Sequence, residues 1–480
     1  MNLLFACSEA APFAKSGGLG DVMGALPLAL SKEEDTEVAV ILPFYPSIKH
    51  NPALSADYVW HFYMPLAWRN QYVGIFKSVI THKQGKLTYY FIDNEYYFGR
   101  EGYGYEDDGE RFAYFSKAVL EALLHLDFSP DIIHCNDWQT GYIPLFLKAF
   151  YQVSFPNLRT VLTIHNIEYQ GKADPSFLAE VLGVDSYWQG AATFDGLTNA
   201  LKCGIVLCDA LTTVSNTYAH ELQYDYYAHG LAGIIRENAY KMTGIVNGID
   251  TSVYHPEKDT YLPVPFSATS LEGKAENKRI LQEALGLPVT NQAPMVAMVS
   301  RLVPHKGLPL IMEVGHYLAQ CGIQWIILGT GYKEYEDYFR TLSYAYPDAV
   351  SAHIYFDESL ARRIYGAADF LLMPSQAEPC GLAQLISMRY GTIPIVRETG
   401  GLVDTVSPIS NETGEGSGIT FKTYHPEDML GAVIRATELY KNRPMMEAIQ
   451  KRILRKNPDW QKSAGKYMAV YRSVLPGKEF

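Results

Sequence analysis

Three stretches of this chain place fixed charge or unpaired backbone where an anion would sit. The first, Lys15-Ser16-Gly17-Gly18-Leu19-Gly20-Asp21-Val22, joins an apolar run, Asn2 to Ser8, to an apolar stretch of helical character, Val22 to Leu30. Glycines let backbone come close to a ligand, and the unpaired N–H groups at a helix start carry positive partial charge toward it. Lys15 would add a full charge. The Rossmann dinucleotide pattern is not met, because Asp21-Val22-Met23 stands where the third glycine belongs. A nicotinamide or flavin enzyme is therefore disfavoured. A glycine-rich connection from strand to helix that binds nothing is the plainer alternative.

The second stretch, Arg301-Leu302-Val303-Pro304-His305-Lys306-Gly307, follows the predicted strand Met295 to Ser300 and stands just before a helix. A bidentate guanidinium with an ammonium suits a diphosphate, although a solvated basic loop has the same spacing. In the third, the predicted strand Phe370 to Met373 leads through Pro374-Ser375-Gln376-Ala377-Glu378-Pro379-Cys380-Gly381-Leu382 into a helix at about Ala383. There the helix N–H groups would bind phosphate while Glu378 grips sugar hydroxyls, unless Glu378 is only a first-turn acid favourable to the helix dipole. A double-glycine turn, Thr399-Gly400-Gly401, follows the next strand, Ile393 to Val396. His134-Cys135-Asn136-Asp137-Trp138 and His165-Asn166 likewise follow apolar strands, where polar side chains reach a ligand crevice or serve as satisfied structural groups.

No Asp-x-Asp, His-Glu-x-x-His or Walker loop is found, so no metal site is expected. Charge on a departing phosphate would fall to Lys15, Arg301, Lys306 and backbone amides.

The elements that must position these residues alternate in type. Short β-branched or aromatic runs (Val38 to Leu42, Tyr89 to Ile92, Asp131 to His134, Val161 to Ile164, Trp325 to Leu328) are separated by helical patterns such as Glu110 to Leu126 and Leu308 to Gln320. Such alternation predicts an α/β protein with parallel sheets. A proline- and serine-rich break from Asn247 through Gly273 divides it into two doubly wound domains facing one cleft. The expected domains are 1–246 and 247–458, with 459–480 a final helix packing back on the first, and residues 411–417 form a surface loop.

At 480 residues and 48% hydrophobic content the chain supports two or three sizeable cores. Forty basic and fifty-two acidic side chains leave a formal charge of −12, which argues against nucleic acid or an anionic membrane as general partners. Six scattered cysteines, none in a Cys-x-x-Cys pair, indicate neither a zinc ribbon nor a disulfide framework and fit a reducing cytoplasm. No apolar run reaches membrane-span length. Tyrosine is abundant, and while rings stack on sugars, packing is their commoner role.

Taken together, the motifs resemble the bacterial glycogen synthase and plant starch synthase family, retaining glucosyltransferases of the glycosyltransferase-B fold with two Rossmann-like domains. The similarity runs from Lys15–Val22 through Asp107–Phe112, His134–Gln139, His165–Gly171, Thr213–Ser215, Asn247–Asp250, Ser300–Gly307, Glu378–Leu382 and Thr399–Val406. The resemblance implies transfer of glucose from ADP-glucose to the non-reducing 4-hydroxyl of an α-1,4-glucan such as glycogen, with no cofactor. It casts Lys15, Arg301 and Lys306 as diphosphate ligands and Gly17-Gly18 as the loop closing on the leaving group. Glu378 would contact glucose hydroxyls, Cys380-Gly381-Leu382 would supply N–H groups, and His165, Asp137 and Asn247 would line the glucose pocket. Phe356 stands where the family usually stacks a tyrosine on adenine; Tyr355 and Ala383 replace a common glycine and threonine. No motif demands a carboxylate pair about 5 Å apart, so front-face attack is favoured over a covalent intermediate. The alternatives are a UDP-glucose-dependent relative of the same fold, a phosphorylase (for which no pyridoxal phosphate segment is found), or a non-catalytic glucan-binding protein.

Overall fold

Strands that are apolar along their whole length need cover on both faces, which parallel sheets with crossover helices provide. The computed structural model, which describes residues 1–82 and 85–475, contains two such sheets. They belong to two compact units, Met1–Asn247 with Trp460–Phe480, and Gly248–Asp459.

The strands of the first unit are β1 (Asn2–Ala6), β2 (Glu37–Pro43), β3 (Asp57–Leu66), β4 (Arg69–His82), β5 (Gly85–Asp93), β6 (Ile132–Asn136), β7 (Arg159–Ile164), β8 (Lys172–Ala173), β9 (Thr193–Phe194), β10 (Leu197–Asn199), β11 (Ala210–Thr213) and β12 (Met242–Gly244). The main sheet has the order β12-β11-β7-β6-β1-β2-β5-β4-β3, while β8, β10 and β9 form a small antiparallel sheet. Every residue of β6 is buried, as are the last four of β1. Strand order reverses at β1, which pairs in parallel with β2 on one side and β6 on the other. Ligands of such sheets bind outside the carboxyl ends at this switch point.

The second unit carries β13 (Met295–Val299), β14 (Gln324–Leu328), β15 (Val350–His353), β16 (Phe370–Met373), β17 (Ile393–Arg397) and β18 (Ile419–Phe421). All pair in parallel, in the order β15-β14-β13-β16-β17-β18, so the switch lies between β13 and β16.

Several elements differ from the sequence reading. The strand expected to reach Ser300 ends at Val299, and the helix expected over 110–126 runs Asp108–Ala122. The long hairpin of β3 and β4, which adds an antiparallel edge to the first sheet, is absent from the sequence reading. Its first strand is exposed at many positions, so it lacks the apolar run by which the buried strands announce themselves.

The C-terminal helix Gln461–Val474 packs within the first unit, burying Tyr467 and Tyr471. The Tyr471 hydroxyl lies 2.7 Å from His134 Nδ1, and His134 Nε2 meets the Thr163 hydroxyl. Both ring nitrogens are thus satisfied in the core, and His134 is structural. Residues 476–480 of the segment expected as helix lie outside the described residues.

Candidate active site

In the first unit the loop after β1 is gathered by one buried acid. Glu9 Oε2 accepts from both the backbone N–H and the hydroxyl of Ser16 at 2.6 Å, while Oε1 accepts from the Gly20 N–H at 3.1 Å. The start of helix Gly18–Leu30 is therefore partly capped by the chain's own carboxylate. Among the described residues the Gly17 and Gly18 N–H groups find no acceptor, and Lys15 pairs with Asp21 at 2.7 Å. Tyr103 supports the loop through its hydroxyl, 3.1 Å from that of Ser16.

Across the switch point, β6 ends at Asn136 and the next residue, Asp137, takes a positive φ of 56°. This turn presents its Oδ1 to the His165 and Asn166 N–H groups, at 2.7 and 3.3 Å. Burial pushes the Asp137 carboxyl up to about 7 against those two hydrogen bonds, and the Glu9 charge adds to the rise. His165 Nε2 lies 2.9 Å from Asn136 Oδ1, and the Asn136 amide donates to the Ala6 and His134 carbonyls. With its amide oriented that way Asn136 offers only an acceptor, so His165 carries its proton on Nε2 and Nδ1 is left as a free acceptor. Burial pushes this imidazole down to about 3, so it is neutral at pH 7. Asn247 is buried in the same unit, and its Oδ1 has no hydrogen-bond partner among the described residues. An orphaned buried carbonyl is costly unless a ligand or water completes it.

In the second unit the segments after β13 and β16 converge. Lys306 Nζ lies 2.8 and 2.6 Å from the two carboxylate oxygens of Glu378, and the Ser375 hydroxyl donates to Glu378 Oε2 at 2.9 Å. Burial alone would raise the Glu378 carboxyl; the Lys306 charge and the hydrogen bonds from Lys306 and Ser375 hold it below its ordinary value. Gly307 makes the approach possible. Its φ is 84°, and a Cβ there would lie 2.1 Å from the Pro374 carbonyl oxygen. Arg301 is exposed, and among the described residues its guanidinium has no partner.

Residues that the sequence reading passed over hold this second site. Arg397 is buried and donates to the Ser375 and Gln376 carbonyls, and Gln384 donates to those of Cys380 and Gly381. The Gly401 N–H donates to the Glu378 carbonyl at 3.0 Å, tying the double-glycine turn to the loop. Gly381 and Leu382, before helix Ala383–Arg389, have N–H groups that meet no acceptor among the described residues. Phe356 lies on the loop after β15 with its ring 81% exposed, open to a planar ligand. Among the described residues, no three His, Cys, Asp or Glu side chains gather as a cation site.

Each unit thus offers cations, free amides and polar side chains at the carboxyl edge of a parallel sheet, an arrangement suited to a phosphorylated sugar donor. The starch synthase catalytic domain matches residues 2–237, and the group 1 glycosyl transferases match residues 286–453. These matches and the paired α/β sheets define a glycosyltransferase of the glycosyltransferase-B fold. The chain is 46% identical to glycogen synthase of Bacillus cereus and 44% identical to that of Clostridium kluyveri, in each case over 99% of this chain and 100% of the relative. It superposes on the catalytic domain of Arabidopsis thaliana starch synthase IV bound to ADP and acarbose with a TM-score of 0.87, at 33% identity over 99% of both chains. Sucrose-phosphate synthase of Thermosynechococcus elongatus, at 18% identity and a TM-score of 0.61 over 99% of this chain and all of that one, shares the fold. The chain belongs to the glycogen and starch synthase family.

Proposed function

We propose that the enzyme transfers the glucosyl group of ADP-glucose to the non-reducing 4-hydroxyl of an α-1,4-glucan, with retention. In this reaction the bond between C1 and the acceptor oxygen forms as the bond from C1 to the phosphate oxygen breaks. The acceptor proton passes to the departing phosphate. Positive charge then grows on the sugar and negative charge on the nucleotide, so the protein's main task is position and fixed charge.

Arg301 and Lys306 are assigned to the diphosphate, with the free Gly381 and Leu382 amides beside Cys380. In the first unit, Lys15 and the unpaired Gly17 and Gly18 N–H groups have the same chemistry. Glu378, held ionised by Lys306, accepts from glucose hydroxyls. Asp137, Asn247 Oδ1 and His165 Nδ1 are further acceptors for sugar hydroxyls, and the Phe356 ring stacks on adenine. A neutral His165 orients a hydroxyl rather than donating a proton to the leaving group. The six cysteines are free thiols, in keeping with a cytoplasmic enzyme. No helix among the described residues is long and apolar enough to cross a membrane.

The observation that carries this reading is the Lys306–Glu378 pair beside an unpaired Arg301 and two free amides at a sheet switch point. Its test compares labelled ADP-glucose with UDP-glucose as donors to glycogen, in EDTA. Transfer from ADP-glucose that persists in EDTA is expected. Transfer from UDP-glucose alone, loss of activity in EDTA, or glycogen binding with no nucleotide release would overturn it.

A further inference from the structure

Between helices Glu95–Phe98 and Asp108–Ala122 the chain rises in a short arch, residues 99–107, whose feet are fastened and whose tip carries Tyr103. At one foot Asp108 Oδ2 accepts from the Gly104 and Tyr105 N–H groups at 2.5 and 3.0 Å, while Oδ1 accepts from the fully buried Arg111 at 2.5 Å. Arg111 also donates to the Tyr97 carbonyl at 2.7 Å, so one guanidinium ties the end of the arch to its beginning. At the other foot Glu101 accepts from the N–H and the hydroxyl of Ser47 at 2.5 and 2.8 Å. The Tyr105 hydroxyl donates to the Glu101 carbonyl at 2.9 Å, and its ring lies 4.5 Å from the Arg100 guanidinium and 4.9 Å from that of Arg111. Gly102 and Gly104, with φ of 54° and 109°, supply the left-handed backbone that lifts Tyr103 between these supports.

The tip meets the glycine loop at one atom. The Tyr103 and Ser16 hydroxyls lie 3.1 Å apart, and Ser16 gives its own hydrogen to Glu9 Oε2 at 2.6 Å. Ser16 Oγ therefore accepts, and Tyr103 donates. A directed chain runs from Tyr103 through Ser16 to Glu9, whose other oxygen holds the Gly20 N–H. Ser16 stands between Lys15 and Gly17, so this chain fixes the backbone that carries the loop's charge and its free amides.

We infer that Tyr103 is a positioning residue of the transfer reaction: from a fixed arch it latches the loop of Lys15, Gly17 and Gly18 in the conformation that meets the donor's diphosphate. The inference rests on the role assigned to that loop above. The bond acts on the loop rather than on the arch, because Asp108, Arg111 and Glu101 hold the arch without it. Tyr103 is 41% exposed, so its hydroxyl adds little to the fold. One hydrogen bond in contact with solvent also breaks easily. The latch restrains the loop without locking it, in keeping with a Lys15–Asp21 pair that is itself partly exposed.

The test is a double-mutant cycle of Tyr103→Phe and Ser16→Ala, read as the KM for ADP-glucose at saturating glycogen. Tyr103→Phe keeps the ring and removes the donor; it should raise that KM about five-fold, as expected for one such hydrogen bond, and leave kcat unchanged. Made in the Ser16→Ala background, the same change should have no further effect. The KM for glycogen and the thermal midpoint of Tyr103→Phe should match the wild type. Amide exchange in the stretch 14–22 of the ligand-free protein should speed up in Tyr103→Phe, and no further when Ser16→Ala is added. An unaltered KM for ADP-glucose, or an equal rise in both backgrounds, would overturn the inference. So would a rise confined to the KM for glycogen, because Tyr103 would then be an acceptor contact. A wild type that transfers nothing from ADP-glucose would refute the function proposed above, whereas the exchange cycle needs no substrate and would still uphold or overturn the latch.

Discussion

The loops after β1 and β13 each set a lysine at the switch point of a parallel sheet, yet they hold it in different ways. Lys15 pairs with Asp21, and the two side chains are 35% and 31% exposed. Lys306 grips both oxygens of Glu378, whose side chain is 6% exposed and also bonded to Ser375. A partly exposed pair adds little stability and exchanges partners readily, whereas breaking a buried pair leaves a charge without compensation. The first loop is therefore adaptable and the second preorganised.

The largest effect that would break this contrast lies at Lys306. Lys306→Ala should lower turnover by about a hundred-fold or more and stability by about 3 kcal/mol. Its pH dependence has a definite sign. In the wild type the folded Glu378 carboxyl sits below its unfolded value, so its contribution is present at neutral pH and fades on acidification through the folded value. Without Lys306, burial would raise the carboxyl and the stability change would run the other way. The deficit of the variant in thermal midpoint should thus shrink as pH falls through the carboxylate range; a deficit that grows would contradict the pairing.

Gly307→Ala should come next, because it forces a Cβ against the Pro374 carbonyl at a positive φ and pushes Lys306 away from Glu378. A stability loss of about 2 kcal/mol with a matching fall in turnover is expected, read from thermal unfolding and initial rates. Asp137→Asn sharpens the description of the first unit. The Asp137 carboxyl, raised to about 7, contributes stability below the unfolded value that is lost as pH rises through 7. The asparagine variant, which keeps an acceptor for the His165 N–H, should gain thermal stability relative to wild type between pH 6 and 8. The smallest effect is on folding in Lys15→Ala, a change within about 0.5 kcal/mol. Its turnover should nonetheless fall, which separates a catalytic from a structural lysine.

The second site's residues were legible in the sequence because a strand followed by charge or glycine signals a carboxyl-end loop. That Lys306 and Glu378 would pair was not, since the pair joins crossovers 72 residues apart and depends on Gly307 tolerating contact with Pro374. Glu9 left a faint signal, an acid interrupting an apolar start, and its purpose shows only when Ser16 and Gly20 fold back on it. Arg397 and Gln384 left none, because they act by bonding backbone carbonyls that any residue provides. His134 and His165 look alike in sequence, each at the end of an apolar strand. They differ in the fold because Tyr471, from the far end of the chain, satisfies His134, whereas His165 Nδ1 stays free.

The claim that fixed cations take the leaving diphosphate is tested most directly by a crystal structure of the enzyme with ADP, grown with magnesium present. Arg301 and Lys306 should both lie within hydrogen-bond distance of the diphosphate oxygens, with the Gly381 and Leu382 amides directed at the same group. A magnesium ion bridging the diphosphate, or an ADP molecule bound away from Arg301 and Lys306, would contradict the account.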